Sequence, residues 1–144
     1  MIEFKYLKIF NPQGEEELIT IASGPVIIQD NQVLLDKHDD DFWKFPGGKV
    51  LSNESFEQTA IREVKEELNV DVELKSEPYI IILNREVGDK KETLILIHYL
   101  AEIINGEPQA GRDITEFEWH DIDNLPSNCA ENIKPVVDFF RNKI

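Results

Sequence analysis

A chain of 144 residues, 41% apolar and 31% charged, is long enough for one domain with its own hydrophobic core. It carries 29 acidic against 15 basic residues, a formal net charge of −14. That excess repels DNA, RNA and anionic membranes and so argues against a long nucleic-acid partner, but it tolerates a small anionic ligand where cations stand between the two.

In chain order, residues 2–10 alternate loosely, as a half-buried strand does, and Asn11-Pro12-Gln13-Gly14 is a turn signal. Leu18 to Ala22 then reads as a returning strand, so residues 1–23 form an opening hairpin that fits either an edge of the sheet or a contact between two copies. The start, MIEFKYLKIF, lacks the basic, apolar, small-residue order of a signal peptide. No apolar run approaches the roughly 18–20 residues that span a bilayer, and the expected location is cytoplasmic.

Pro25 to Ile28 and Val33 to Leu35 read as two strands across the tight turn Asp30-Asn31. A polar loop from His38 to Asp41 leads into Phe42-Trp43-Lys44-Phe45 and then Pro46-Gly47-Gly48. A helix follows. Ser55 with Gln58 three residues on is a capping box, and Asn69 suits the left-handed position at a helix end. At about 100° per residue, Ala60, Ile61, Val64 and Leu68 share one core-facing sector, while Glu63, Glu66 and Glu67 share another about 120° away. Three carboxylates that close repel unless something positive lies among them, or unless they face open water.

Strands are expected at Val70 to Leu74, Tyr79 to Leu83 and Thr93 to Ile104, the near-continuous apolar runs implying a sheet covered on both faces. Phe117 to His120 reads as a short strand. A terminal helix follows with apolar positions Ile133, Val136, Val137 and Phe140, its regular part beginning at Pro135. Cys129 is the only cysteine, which excludes an intrachain disulfide and a cysteine-based zinc site and fits a reducing compartment. His38, His98 and His120 show no metal-ligand spacing and are given no role. The pattern is one α/β domain over residues 1–144.

From Gly48 the chain runs five residues to Glu54 and seven more to Arg62-Glu63-Val64. One residue further come Glu66-Glu67, then one more residue before Asn69 and Val70. This resembles the box of the Nudix (MutT-like) hydrolases over residues 48–70, with Asn69 where that family usually has Gly. Phe45-Pro46-Gly47-Gly48 and Phe117 to Leu125 add to the likeness. The resemblance implies an α/β/α sandwich with a mixed central sheet and a loop–helix–loop catalytic motif. It also implies Mg²⁺ (or Mn²⁺) and cleavage of a nucleoside diphosphate linked to a moiety X, giving a nucleoside monophosphate and phosphorylated X. The alternative is a non-catalytic nucleotide-binding or regulatory module of the same fold.

On that resemblance Gly48, Glu63, Glu66 and Glu67 hold metal, and Glu54 and Arg62 brace the box. Asp113, with Glu116 next in line, activates water unless a box glutamate does so. Trp43, Lys44 and Arg85 are candidate substrate contacts. The expected partner is a small nucleotide-type substrate. Pro78 falls only eight residues after Val70, unlike the later proline of the ADP-ribose subgroup, and no coenzyme A-type arginine pattern precedes Phe45. A nucleoside triphosphate is left as the default substrate.

Overall fold

The computed structural model describes residues 7–144. Among these, eight strands form one mixed sheet: β1 (Leu7–Phe10), β2 (Glu16–Gln29), β3 (Gln32–Lys37), β4 (Gly48–Lys49), β5 (Asp71–Leu74), β6 (Tyr79–Val87), β7 (Lys90–Asn105) and β8 (Glu116–Asp121). Two helices, α1 (Phe56–Leu68) and α2 (Ile133–Phe140), complete the α/β/α sandwich expected from the sequence. The path β5-β7-β2-β3-β8 places β2 and β7 at the centre, and they run parallel from Glu17↔Lys91 to Ile27↔Ala101. The other pairings are antiparallel. Parallel neighbours need a crossover connection, and α1 lies within it.

The two faces separate by strand alternation. Val26, Ile28, Val33 and Leu35 pack with Ile133, Val136, Val137 and Phe140 of α2. Ile27 and Leu34 face the other way and pack with Val64 and Leu68 of α1. The β2–β3 turn is Asp30-Asn31, both at positive φ (51° and 64°), as a two-residue hairpin whose twist matches its strands requires.

Four sequence expectations change, and one lies partly outside the described residues. The returning strand and the Pro25 strand are one continuous β2 of 14 residues. Leu7–Phe10 of the opening strand pairs with the start of β2; residues 2–6 of that expectation lie outside the described residues. Among the described residues strand β6 is not covered on both faces: it pairs there with β7 alone, and Ile80 and Ile82 are exposed while Ile81 packs inward. In α1, Ile61 is exposed and Thr59, fully buried, takes its place. Finally, α2 starts at Ile133, with Pro135 inside the first turn, where its missing N–H is not needed. Among the described residues no helix is long and apolar enough to cross a membrane.

Candidate active site

The site is built on α1 and the two loops that close around it. Ser55 Oγ accepts from the Gln58 N–H (3.1 Å), and Gln58 Oε1 accepts from the Ser55 N–H (2.8 Å), which fixes the start of the helix. Asn69, at φ 58°, ends it. Its last carbonyls are satisfied from a distant loop: Gln109 N–H donates to Leu68 O, Gly111 N–H to Glu67 O and Arg112 N–H to Glu66 O, at 2.9, 2.7 and 3.1 Å. A Cβ on Gly111 would lie 2.3 Å from Glu66 O, so glycine permits this approach.

On the opposite side, the Pro46-Gly47-Gly48 turn presses against β2. A Cβ on Gly24 would lie 2.0 Å from Pro46 O, and Gly47 sits at φ +153°. Gly48 faces α1. A Cβ there would fall within 2.5–2.7 Å of the Glu63 carboxylate, so the absent side chain is the space that Glu63 occupies.

The acids form two groups. In the first, Arg62 grips Glu54 through Nε–Oε2 (2.6 Å) and a second N–H to Oε1 (2.8 Å). The Arg62 guanidinium, helped by the Thr59 hydroxyl and the Leu51 N–H, holds the Glu54 carboxyl down to about 2 against the opposing effect of burial. Arg62 also reaches Glu63 Oε1 (2.8 Å) and Glu66 Oε2 (3.2 Å), and the Glu54 hydrogen bonds push its own pKa up. Arg112 closes the other side, 2.8 Å from Glu66 Oε2 and 3.4 Å from Glu63 Oε2. Arg112 was not singled out from the sequence, because it reaches the helix through a loop more than forty residues away rather than at a helical offset.

In the second group, Glu67 is buried at 3% exposure and accepts from the Gly47 N–H (3.1 Å). It faces Asp36, which is fully buried on β3, and the ring of His38. Burial pushes both carboxyls up, and the charge of Asp36 raises Glu67 further. Asp36 was not singled out from the sequence, and His38 was given no role there because its spacing to other ligand types is not that of a metal site.

The expected site residues divide accordingly. Glu54, Arg62, Glu63, Glu66 and Gly48 come together. Asp113, at φ 63° beside Arg112, is exposed, with its carboxylate 3.9 Å from Arg112 Nε. Glu116 is paired with Lys37 (3.2 Å). Lys44 and Arg85 line a cleft of about 480 Å³ with Gly47, Gly48, Phe45 and His98. Within it Lys44 pairs with Asp40 and Arg85 with the buried Glu92. Trp43 is not on this cleft: it is buried in the α2-side core, edge-on to His120 (4.4 Å between ring centres). Its expected substrate contact is therefore not what this conformation offers. Phe42, more than half exposed, does line the cleft.

An α/β/α sandwich that gathers carboxylates on one helix, against a Gly-Gly turn and beside a cleft, belongs to the enzymes that act on pyrophosphate bonds. The chain is a member of the Nudix family: the family model for the NUDIX domain matches residues 18–140. Among curated relatives, the ADP-ribose pyrophosphatase of Methanocaldococcus jannaschii is 32% identical over 127 residues, 85% of this chain and 74% of that protein. The 8-oxo-dGTP diphosphatase of Proteus vulgaris is 38% identical over 63 residues, 40% of this chain and 56% of that protein. Among solved structures, the MutT Nudix hydrolase from Burkholderia pseudomallei superposes with a TM-score of 0.70 at 25% identity, covering 85% of this chain and 98% of that one. Nudix enzymes act on small nucleotide-type substrates and are typically metal-dependent.

Proposed function

We propose that this chain hydrolyses the pyrophosphate linkage of a nucleoside diphosphate joined to a moiety X, releasing a nucleoside monophosphate and phosphorylated X, with Mg²⁺ (or Mn²⁺) bound at the α1 carboxylates. The observation that carries the reading is the placement of Glu63 in the space left by Gly48, with Glu66 beside it and the cleft opening past the same turn. An all-oxygen donor set from Glu63, Glu66, Glu67 and the Gly48 carbonyl suits Mg²⁺, which takes oxygen ligands and keeps several waters. When bound, the ion supplies positive charge against the pyrophosphate and lowers the pKa of an attacking water.

The chain's own residues do the rest. Arg62, fixed by Glu54, holds Glu63 and Glu66 in one orientation and keeps their charges from driving them apart. Lys44 and Arg85 offer cationic groups along the cleft where phosphates lie. Asp113 takes the proton from the attacking water: its carboxylate is exposed, whereas Glu116 is engaged by Lys37. A purely binding module has no use for a braced carboxylate set of this kind.

The test is product release from ADP-ribose, a deoxynucleoside triphosphate and its 8-oxo form, and a dinucleoside polyphosphate, each with Mg²⁺. Wild type is compared with Glu66→Gln, Asp113→Asn and Glu116→Gln. Turnover of one substrate class, lowered at least about a hundredfold in Glu66→Gln, is expected. No phosphate-ester product from any substrate refutes the reading, and equal turnover by Glu66→Gln refutes the assigned site.

A further inference from the structure

We propose that Asp36, His38 and Glu67 form a second cation site, built for a divalent transition ion that accepts a nitrogen ligand, such as Mn²⁺. It rests on the preceding reading only in sharing the Glu67 side chain. Asp36 is fully buried, and neither of its carboxylate oxygens has a hydrogen-bond partner. Buried carboxylates are paired, hydrogen-bonded or bound to metal; the group that acts on this one most closely is Glu67, itself an acid, so the two lack a cationic counterpart. The neighbouring cations do not supply it. Lys44, whose backbone N–H and C=O bond those of Asp36 (2.9 Å each), gives its ammonium to Asp40. Lys37 turns to Asp41, Glu116 and the face of Trp43.

What faces Asp36 instead is a ligand set. His38 Nε2 lies 3.9 Å from Asp36 Oδ1 and 3.7 Å from Glu67 Oε1, and one ligand atom from each of the three residues lies within 4.8 Å of the others. These separations are too long for hydrogen bonds. The two His38 distances are shorter than the roughly 4.2–4.6 Å that is the widest span between two ligand atoms on one ion with bonds of about 2.1–2.3 Å, so one ion can reach both pairs. Glu67 Oε2 is occupied by the Gly47 N–H, which leaves Oε1 on the His38 side. His38, one-third exposed, lines a surface cleft with Asp39 and Asp113, an acidic entry for a cation. An imidazole in the set favours Mn²⁺, Co²⁺ or Zn²⁺ over Mg²⁺.

The full-length protein, stripped of metal and titrated with Mn²⁺, is read by pulsed electron paramagnetic resonance for ¹⁴N coupling to the ion. Wild type and Glu66→Gln are expected to show directly coordinated nitrogen. His38→Ala, at a partly exposed position, loses it, and the Mn²⁺ affinity of that class falls at least about tenfold. Asp36→Asn, which keeps the side-chain volume, weakens the same class. Absence of ¹⁴N coupling in wild type, as when Asp36 and Glu67 merely share a proton, overturns the proposal, as does an unchanged signal in His38→Ala. A nitrogen signal without hydrolysis of any nucleotide supports this site while refuting the proposed reaction; hydrolysis without the signal refutes this site alone.

Discussion

Gly48→Ala isolates the position of one carboxylate. The backbone at residue 48 is not in the left-handed region, so alanine adds no backbone strain. Its Cβ would sit 2.5–2.7 Å from the three carboxyl atoms of Glu63, against 3.4 Å or more for an ordinary contact. Glu63 therefore has to retreat by about 0.7–0.9 Å. A displacement near 1 Å at a reacting centre costs on the order of a hundredfold in rate, or about 2.7 kcal/mol. Stability moves little, because losing a glycine restricts the unfolded chain by an amount similar to the strain introduced. Steady-state kcat at saturating nucleotide across a Mg²⁺ titration, with a melting curve for each variant, reads both quantities. Adding Glu63→Asp shortens the side chain by one methylene and should recover part of the loss, a non-additivity that a double-mutant cycle measures. If Gly48→Ala keeps kcat within about threefold at unchanged Mg²⁺ dependence, the contact between Gly48 and Glu63 has no catalytic meaning.

Three further outcomes follow from the geometry. Arg112→Ala removes a guanidinium from Glu66 and Glu63, so Mg²⁺ affinity, by calorimetry, should rise about three- to tenfold; a weaker affinity would show that Arg112 organises the acids rather than competing for them. Glu54→Gln should cost about 1–3 kcal/mol at pH 7 by urea unfolding. Because the Glu54 pKa is depressed to about 2, that contribution is present above its ordinary 4.5 and disappears as pH falls towards 2, so the gap between wild type and variant should close there. His98, lowered to about 4 by burial, is neutral in the fold, with its ring between Gly24 O and Asn132 Nδ2. The unfolded chain takes up the proton first, so this stability is complete above pH 6.5 and falls by up to about 3 kcal/mol as pH drops to 4. His98→Gln should flatten that segment of the pH–stability curve, and an identical slope in the variant would contradict the assignment.

Local signals in the sequence carried the ends of α1, where Ser55, Gln58 and Asn69 do in the structure what their side chains suggest. Alternation likewise separated the two faces of β2 and β3. What could not be read locally is which loops come to rest where. Helical spacing put Glu63 and Glu67 on one side of α1. That they are buried there depends on the Gly47-Gly48 turn and on the partner strand bearing Asp36, neither of which helical periodicity contains. Asp36 and Arg112 escaped notice, and His38 was given no role, for the same reason: each reaches α1 from a strand or loop remote in sequence. Ile61 and Thr59 changed places because a buried hydroxyl was satisfied by Glu54 and by the Ser55 carbonyl, a pairing no hydropathy pattern encodes.

The loop that carries Arg112 has no regular structure, yet its amides are bonded to the last carbonyls of α1. In hydrogen exchange, the amides of Gln109, Gly111 and Arg112 should therefore open with the helix rather than with the surface. Glu66 and Glu67 each hold this loop by the main chain while presenting a side chain to the site. Fraying of a single helical turn would release the carboxylates and the Arg112–Asp113 segment together, as one mechanical unit.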